Sequence, residues 1–286
     1  MLRAADRLGR GWGRLRILDR LSSAPAPRKP SLQDWESHDL AATWIGHATV
    51  LLRVGSTTIL TDPVFSNRIG IGLGLMTGGP RRLLAPALAL DELPRIDLIL
   101  ISHAHFDHLD RPTLSRFDKS IPVVSSHHNA DLIHDLGFAN VTELQWSQEV
   151  AIGSLRLTAV EVRHWGARTF HDHHRGYSAF LIESAEHRVL YGGDTAHCDS
   201  FMKLGKVDLA ILGIGGYDPY IHCHATPEQA WDMANQVRAD YVLPMHHSTF
   251  RLSFEPAGEP MQRLIAAAGR DRDRLIIEEV GGQWAR

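Results

Sequence analysis

Histidine and aspartate side chains are concentrated in one short stretch of the chain, Ser102–Leu109, with the sequence SHAHFDHL. It contains four potential metal ligands: His103, His105, Asp107 and His108. Side chains two residues apart on an extended segment point the same way, so His103 and His105 can bind one ion while Asp107 and His108 turn towards a second. Imidazole and carboxylate ligands suit Zn²⁺, with Mn²⁺ or Fe as alternatives. The stretch therefore predicts a metal site.

Further ligand candidates lie far away in the sequence, each at the end of a predicted strand. Asp194 follows two glycines in the stretch YGGDT, and its carboxylate has two oxygens with which to bridge two ions. His164 follows a predicted strand. The last candidate is one of the adjacent pair His246 and His247, between which spacing alone does not choose. Their matching positions favour metal ligands over ordinary surface histidines.

Short strands must position these residues. The nearly continuous apolar run at 96–102 is typical of a strand buried on both faces, and α/β active sites gather at the carboxyl ends of such strands. Many strands, few helices and no internal repeat predict a layered α/β sandwich in a single domain. Other strands are predicted at 43–45, 49–53, 57–61, 123–125, 155–162, 178–182, 189–191, 209–214, 241–243 and 275–277, and helices at 129–136, 227–236 and 259–268.

The composition excludes several classes of protein. The 286 residues are 44% hydrophobic and 22% charged, an ordinary globular balance that excludes disordered and fibrous chains. No apolar run approaches the ~18 residues of a membrane-spanning helix. The net charge of −3 gives no general reason to expect a nucleic acid partner. The two cysteines, Cys198 and Cys223, are typical of reduced thiols, so we expect a cytoplasmic protein.

Positive charge is concentrated in residues 1–30, which carry a net charge of +6 against −9 for residues 31–286. We therefore predict a basic amphipathic N-terminal tail, 1–30, followed by one domain, 31–286. Two interpretations of the tail are open. Residues 1–28 form an interfacial helix on anionic lipid, or they pack on the domain or remain a loose tail. The apolar stripe that suggests a helix consists of Leu8, Trp12, Leu15, Leu18 and Leu21.

Three other features are predicted to lie near the site. The stretch 170–175 is expected to be a mobile polar loop containing His171, His173 and His174. The aromatic candidates for a pocket wall are Trp165, Tyr217 and Tyr220. The Gly-rich segment 69–79 is predicted to be a surface loop with an exposed apolar patch of Ile69, Ile71, Leu73, Leu75 and Met76.

The order of these motifs resembles the metallo-β-lactamase superfamily, and within it the branch of N-acylphosphatidylethanolamine-hydrolysing phospholipase D enzymes and their bacterial relatives. The resemblance spans roughly residues 41–255, and the tail lies outside it. The motifs that carry it are ATWIGHAT (42–49), LTDP (60–63), ELPRID (92–97), ISHAHFDHLD (101–110), HW (164–165), GDT (193–195), GGYDP (215–219) and MHHSTF (245–250).

The resemblance implies an αββα sandwich with two metal ions at one edge. It implies that Asp194 bridges both ions, that His224 lies near the reacting group, and that Asp62 steadies the ligand loop. It also favours His246 over His247. One residue departs from the family pattern, Arg163, where Gln is common. The implied ligands are His103, His105 and His164 for the first ion, and Asp107, His108 and His246 for the second.

We therefore expect a dinuclear metal-dependent hydrolase, with two Zn²⁺, that uses a metal-bridging hydroxide. The expected catalytic residues are Asp107, Asp194 and His224. A phosphodiesterase of phospholipase D type acting on a phospholipid or other lipid-like phosphodiester fits best, with a lactonase, thioesterase or other ester hydrolase as the alternative. A non-catalytic metal or lipid binder is the third interpretation. A nuclease is disfavoured because the domain lacks a net positive charge.

Overall fold

Two β-sheets form the centre of the computed structural model, which describes residues 23–73 and 76–286. The first sheet has seven strands in the order β15-β1-β2-β3-β6-β7-β8, and the second has six in the order β14-β13-β12-β11-β10-β9. The strands are β1 Leu40–Gly46, β2 Thr49–Val54, β3 Thr57–Thr61, β4 Ile71–Leu73, β5 Met76–Gly78, β6 Leu98–Ile101, β7 Val123–Ser126, β8 Val141–Leu144, β9 Glu149–Ile152, β10 Leu155–Val160, β11 Ala179–Glu183, β12 Arg188–Tyr191, β13 Leu209–Gly213, β14 Tyr241–Met245 and β15 Gln283–Ala285.

Each sheet is mixed. In the first, β3, β6, β7 and β8 run parallel, while β1, β2 and β15 are antiparallel to their neighbours. In the second, β12, β13 and β14 run parallel, and β9, β10 and β11 form an antiparallel meander that joins β12. The parallel parts of both sheets direct the carboxyl ends of several strands to a common edge, which is where functional loops collect in α/β folds.

The layers follow the order helix, sheet, sheet, helix. Apolar side chains of both sheets, such as Trp44 and Phe180, share one core between the sheets. Ile133 packs on the outer face of the first sheet, and Trp231 and Leu264 pack on the outer face of the second. The predicted αββα sandwich is therefore confirmed. The helices are α1 Arg111–Leu114, α2 Ala130–His134, α3 Pro227–Gln236 and α4 Glu259–Ala268, with 3₁₀ turns at Trp35–Ser37, Leu90–Glu92, Ser200–Lys203 and Gly269–Arg274.

Local sequence signals fix the start of α3. The Thr226 hydroxyl accepts a hydrogen bond from the Gln229 backbone N–H, and the Gln229 side chain accepts one from the Thr226 N–H. Pro227 occupies the first turn, where its missing N–H costs nothing. The helix begins at the predicted residue because this capping box depends only on neighbouring residues.

Two predicted segments differ from the structure. Residues 275–277 do not form a strand, because only Leu275 pairs with β14, through a single bridge to Val242. The segment 69–79 contains the hairpin of β4 and β5 instead of an irregular loop. Ile69 was predicted to be exposed but is buried against Val64 and Phe250, whereas Ile71 is exposed. The other members of the predicted patch, Leu73, Leu75 and Met76, have side chains outside the described part.

The predicted tail lies mostly outside the described residues, which begin at 23. Residues 23–30 lie against the domain: Ala24 exchanges backbone hydrogen bonds with Leu83 and Ala85, and Arg28 donates one to Val280. No helix in the described ranges, 23–73 and 76–286, is long and apolar enough to cross a membrane. The division at residue 30 and the helical stripe of the tail stay predictions.

Candidate metal centre

The candidate ligands meet at the common edge of the two sheets. His103, His105, Asp107 and His108 follow β6 in the first sheet. His164 follows β10, Asp194 follows β12 and His246 follows β14, all in the second sheet. Arg163 helps to align these loops, since its backbone pairs with Ala196 and its N–H is 3.0 Å from the Thr195 hydroxyl. The sequence-predicted ligands therefore converge on one site from both sheets.

Four of them form a first group: His103, His105, His164 and Asp194. The Nδ1 of His105 lies 2.9 Å from Nε2 of His103 and 3.2 Å from Nε2 of His164. Oδ2 of Asp194 lies 3.9 Å from Nε2 of His103 and 3.8 Å from Nε2 of His164. Ligands 2.0–2.1 Å from a tetrahedral ion are roughly 3.3 Å apart, so this spacing fits one ion.

Asp107, His108, His246 and Asp194 form a second group. Oδ2 of Asp194 lies 3.1 Å from Nε2 of both His108 and His246. Oδ2 of Asp107 lies 3.4 Å from Nε2 of His246 and 3.7 Å from Nε2 of His108. Because the same Asp194 oxygen faces both groups, it is placed to bridge two ions. The structure brings all seven candidate ligands together, and of the late pair it is His246 that lies beside Asp194 and Asp107.

Unpartnered polar atoms test whether the pocket suits metal ions. Among the described residues, Nε2 of His108, both ring nitrogens of His246 and Oδ1 of Asp194 are buried without a hydrogen-bond partner. A buried polar atom left unpaired costs about 1–3 kcal/mol. Nε2 of His108 and of His246 both face the Asp194 carboxylate, where a bound cation would satisfy them. The donor set therefore fits a dinuclear metal site.

Asp62 holds the ligand loop in place. Its carboxylate accepts hydrogen bonds from the Ser102 backbone N–H at 2.7 Å and hydroxyl at 2.5 Å, and from the Tyr191 hydroxyl at 2.6 Å. Nδ1 of His108 lies 2.6 Å from the same carboxylate, which leaves Nε2 free to face the metal site. Orientation of a ligating imidazole through its other nitrogen is common in metalloproteins.

His47 belongs to the site, although the sequence analysis assigned it no role. Its Nε2 lies 2.9 Å from Oδ2 of Asp107, and its ring packs 4.1 Å from the ring of His246. His47 stands in the GHAT part of the motif at 42–49, which carried the family resemblance. This position was the sign in the sequence that His47 belongs to the site. His47, Asp62 and His246 all have positive φ angles, a strained backbone conformation that is frequent at functional sites.

His224 faces the ligands from the loop before α3. Its Nδ1 lies 3.8 Å from Oδ2 of Asp194, and its ring is 5.0 Å from that of His164 and 5.2 Å from that of His246. The ring packs against Gly216, where an added Cβ would approach Nδ1 to 3.1 Å. Part of its side chain is exposed, so a bound substrate can reach it.

The electrostatics of the site favour an ionised Asp194 and uncharged imidazole rings at His224 and His47. Burial opposes ionisation of Asp194, but nearby His108 and His246 lower its pKa well below the ordinary range. Burial lowers the pKa of His224 to about 4 despite the opposing charge of Asp194, and it lowers that of His47 to about 3. At neutral pH, Asp194 is therefore charged, while His224 and His47 are uncharged.

Several exposed apolar side chains belong to residues that adjoin the site, or the cavity beside His246, along the chain. The Trp165 ring meets the His105 ring edge-on, with 5.4 Å between centroids, and the Tyr220 carbonyl accepts backbone hydrogen bonds from Cys223 and His224. A cavity of about 330 Å³ opens beside His246. The exposed fractions are 42–73% for the residues that we name the apolar rim: Leu83, Trp165, Tyr220, Ile221 and Phe254.

Two other predicted features lie outside the ligand set. Tyr217 is buried rather than lining an open pocket, with its hydroxyl bonded to Glu259 at 2.9 Å. The 170–175 loop is anchored by Arg175, which forms ion pairs with Asp172 and Asp131. The three histidines of this loop, His171, His173 and His174, point outward and are exposed.

Comparison with known proteins places this site in a family. The chain matches the family model described as "Beta-lactamase superfamily domain" over residues 57–247. It is 32% identical to an uncharacterized protein of Mycobacterium tuberculosis over 263 residues, covering 86% of this chain and 69% of that protein. It is also 32% identical to N-acyl-phosphatidylethanolamine-hydrolyzing phospholipase D 1 of Caenorhabditis elegans over 271 residues, covering 86% and 75%.

Solved structures share the fold. The isothiocyanate hydrolase from Delia radicum gut bacteria superposes with a TM-score of 0.70 at 17% identity, covering 86% of this chain and 98% of that one. A possible metal-dependent hydrolase from Veillonella parvula gives 0.70 at 17% identity, covering 87% and 100%. The family model and the relatives at 32% identity show that the chain belongs to the metallo-β-lactamase superfamily, and its buried histidine and aspartate site marks it as a metal-dependent hydrolase.

Proposed function

We propose that the protein is a phosphoric diester hydrolase of phospholipase D type that binds two Zn²⁺ and acts on a lipid-like phosphodiester. The observation that carries this proposal is the 32% identity to the Caenorhabditis elegans N-acyl-phosphatidylethanolamine-hydrolyzing phospholipase D 1, over three quarters of that protein. A yeast mitochondrial protein of the same description is 30% identical, although the chain spans about half its length.

The residues at the site suit this chemistry. Two bound ions would supply a hydroxide at neutral pH and neutralise the charge of a phosphodiester. Asp107 and Asp194 hold this centre as carboxylates, since nearby histidines keep the pKa of each well below its usual range against the effect of burial. His224, uncharged and partly exposed beside Asp194, donates a hydrogen bond to a phosphate oxygen and holds the reacting group in place.

The apolar rim supports a lipid substrate. Its side chains are exposed and belong to residues that adjoin the site or the cavity beside His246 along the chain. Exposed apolar surface commonly marks lipid contact, so we place the hydrocarbon part of the lipid there during hydrolysis of its phosphodiester. Arg251 is exposed at the cavity beside His246 and provides a positive charge for an anionic headgroup. Binding of a small polar phosphodiester would not require these apolar side chains.

The experiment is a substrate panel measured with metal analysis. We expect N-acylphosphatidylethanolamine vesicles and bis(p-nitrophenyl) phosphate to be hydrolysed faster than p-nitrophenyl phosphate, a lactone, a thioester or a cephalosporin. His224→Ala removes the hydrogen bond to the phosphate oxygen, so it should lower kcat by about 10²–10³-fold without loss of metal. Faster hydrolysis of the lactone, thioester or cephalosporin would reject the phosphodiesterase assignment, and metal binding with no hydrolysis at all would support a non-catalytic role.

The basic tail supports contact with a membrane. Each basic side chain near an anionic surface contributes about 1 kcal/mol, so part of the +6 charge of residues 1–30 suffices for weak, reversible binding. We propose that this contact is peripheral and lies at the cytoplasmic face of the membrane.

A truncation tests the membrane contact. Deletion of 1–22 keeps Ala24 and Arg28 bonded to the domain. It should weaken sedimentation with anionic vesicles and leave hydrolysis of bis(p-nitrophenyl) phosphate unchanged. A full-length variant in which Arg3, Arg7, Arg10 and Arg14 are replaced by Gln separates the effect of charge from that of length. Equal vesicle binding by all three proteins would reject the proposal.

A further inference from the structure

His47 lies at the turn between β1 and β2, with only 1% of its surface exposed. The turn is held tightly: the His47 N–H donates to the Thr249 hydroxyl at 2.8 Å, and its carbonyl accepts from the Trp44 indole at 2.7 Å. The ring therefore projects from a fixed backbone, and its nitrogens have a fixed direction. The turn therefore fixes the position of the His47 ring relative to the side chains that the ring contacts.

The His47 ring directly contacts a candidate ligand of the second group. Its Nε2 lies 2.9 Å from Oδ2 of Asp107, which is hydrogen-bond distance. A carboxylate only accepts, so a hydrogen on Nε2 would make His47 the donor that orients Asp107, whereas Nε2 without a hydrogen would have a lone pair for a metal. His47 also stands close enough to Asp107, His108 and His246 to be a ligand itself. The two roles make opposite predictions for replacement of His47 by a residue that can only donate.

The contacts of His47 are confined to one of the two ligand groups. Besides Asp107, its carbonyl accepts a hydrogen bond from the His246 N–H at 3.1 Å, and its ring packs on His246. Its ring also meets that of His108 edge-on at 5.5 Å. Asp107, His108 and His246 all belong to the second group. Within residues 23–73 and 76–286, no ring contact or hydrogen bond joins His47 to the three histidines of the first group.

We propose that His47 is a positioning residue that sets the affinity of the second metal site separately from the first, by orienting Asp107 and His246. Loss of a hydrogen-bonding partner of a metal ligand typically weakens metal binding 10–100-fold. The proposal concerns metal retention, so it holds whichever ester the enzyme hydrolyses.

The test measures release of Zn²⁺ from the loaded protein during dialysis against graded concentrations of EDTA. His47→Phe, which keeps an aromatic ring but removes both nitrogens, should lose one of its two ions at about 10–100-fold lower chelator strength than wild type. The other ion should be released at the wild-type concentration. His47→Gln, whose amide N–H can replace the Nε2 donor, should retain both ions as the wild type does.

His247→Phe is the matched control. It removes a buried imidazole that stacks on Trp44 and bonds to Ser248, and it should leave both ions in place. Release of both ions together from His47→Phe, or retention of both at wild-type chelator strength, would overturn the proposal. Loss of an ion from His47→Gln would also overturn it, because it would make His47 a ligand. The His47→Gln result can therefore overturn the proposal even if His47→Phe does not fold.

Discussion

Replacement of Asp62 by Asn tests how much the support of the ligand loop contributes to stability. Asp62 is fully buried and its carboxylate is contacted by four polar groups. Hydrogen bonds to a charged group contribute about 1.5–3 kcal/mol, against about 0.5–1.5 kcal/mol for neutral pairs. An Asn amide removes the charge and turns one acceptor into a donor that faces other donors. We expect Asp62→Asn to lower the free energy of unfolding by about 4 kcal/mol.

The assay is urea and thermal unfolding in the presence of EDTA, so that metal binding does not contribute. For a chain of this size, about 4 kcal/mol corresponds to a fall in Tm of roughly 10 °C. Asp97→Asn is the matched control, because Asp97 is partly exposed and accepts a hydrogen bond from Thr58 at 3.0 Å. It should cost less than about 1 kcal/mol.

The result that would refute this reasoning is a cost for Asp62→Asn no larger than that of Asp97→Asn. Such a result would mean that the four contacts do not depend on the negative charge of Asp62. A large loss of stability combined with unchanged retention of Zn²⁺ would show that Asp62 supports the fold without orienting His108.

Three further predictions concern the ligands and the loop at 170–175. Asp194→Ala should retain at most one ion by elemental analysis and lose activity, because its Oδ2 faces both ligand groups; two retained ions would contradict the bridging role. His246→Ala should cost far more activity than His247→Ala, since only His246 lies 3.1 Å from Asp194, and the reverse ranking would reject this ligand choice. Burial opposes the ionisation of Asp172, but hydrogen bonds from Arg175 and Thr169 prevail and lower its pKa from 3.8 to about 2. A carboxyl group whose pKa is lower in the folded than in the unfolded protein stabilises the fold above its unfolded pKa of about 4. In urea unfolding, the advantage of wild type over Asp172→Asn, about 1 kcal/mol once solvent screening is counted, should be complete above pH 4 and disappear as the pH falls towards 2. A difference independent of pH would contradict the ion pair.

The sequence predicted those parts of the molecule whose signals are local. The start of α3 follows from a capping box and a proline, and the strand before His103 follows from a buried apolar run. The seven candidate ligands were predicted because each follows a predicted strand or stands in a motif of the family. The prediction that these side chains lie close together depends on the fold, and the fold was predicted from the family resemblance.

Features that depend on distant residues were missed. Ile69 looked exposed in a Gly-rich segment, but it is buried by Phe250, which is remote in the sequence. The short strands β8, β9 and β15 lack a strong apolar pattern, and pairing with neighbouring strands defines them. The part played by His47 depends on the direction of its ring towards Asp107, which no local pattern specifies.

The division of the ligands between the sheets has a mechanical consequence. The first ligand group takes His103 and His105 from one sheet and His164 and Asp194 from the other, and the second group is divided in the same way. The strands β1–β8, at 40–144, and β9–β14, at 149–245, come from successive halves of the chain. Each bound ion would therefore act as a crosslink between the two halves and resist their separation at this edge. Loading with metal should slow amide hydrogen exchange most in the strand ends beside the ligands, while the opposite edge keeps its own rate of opening.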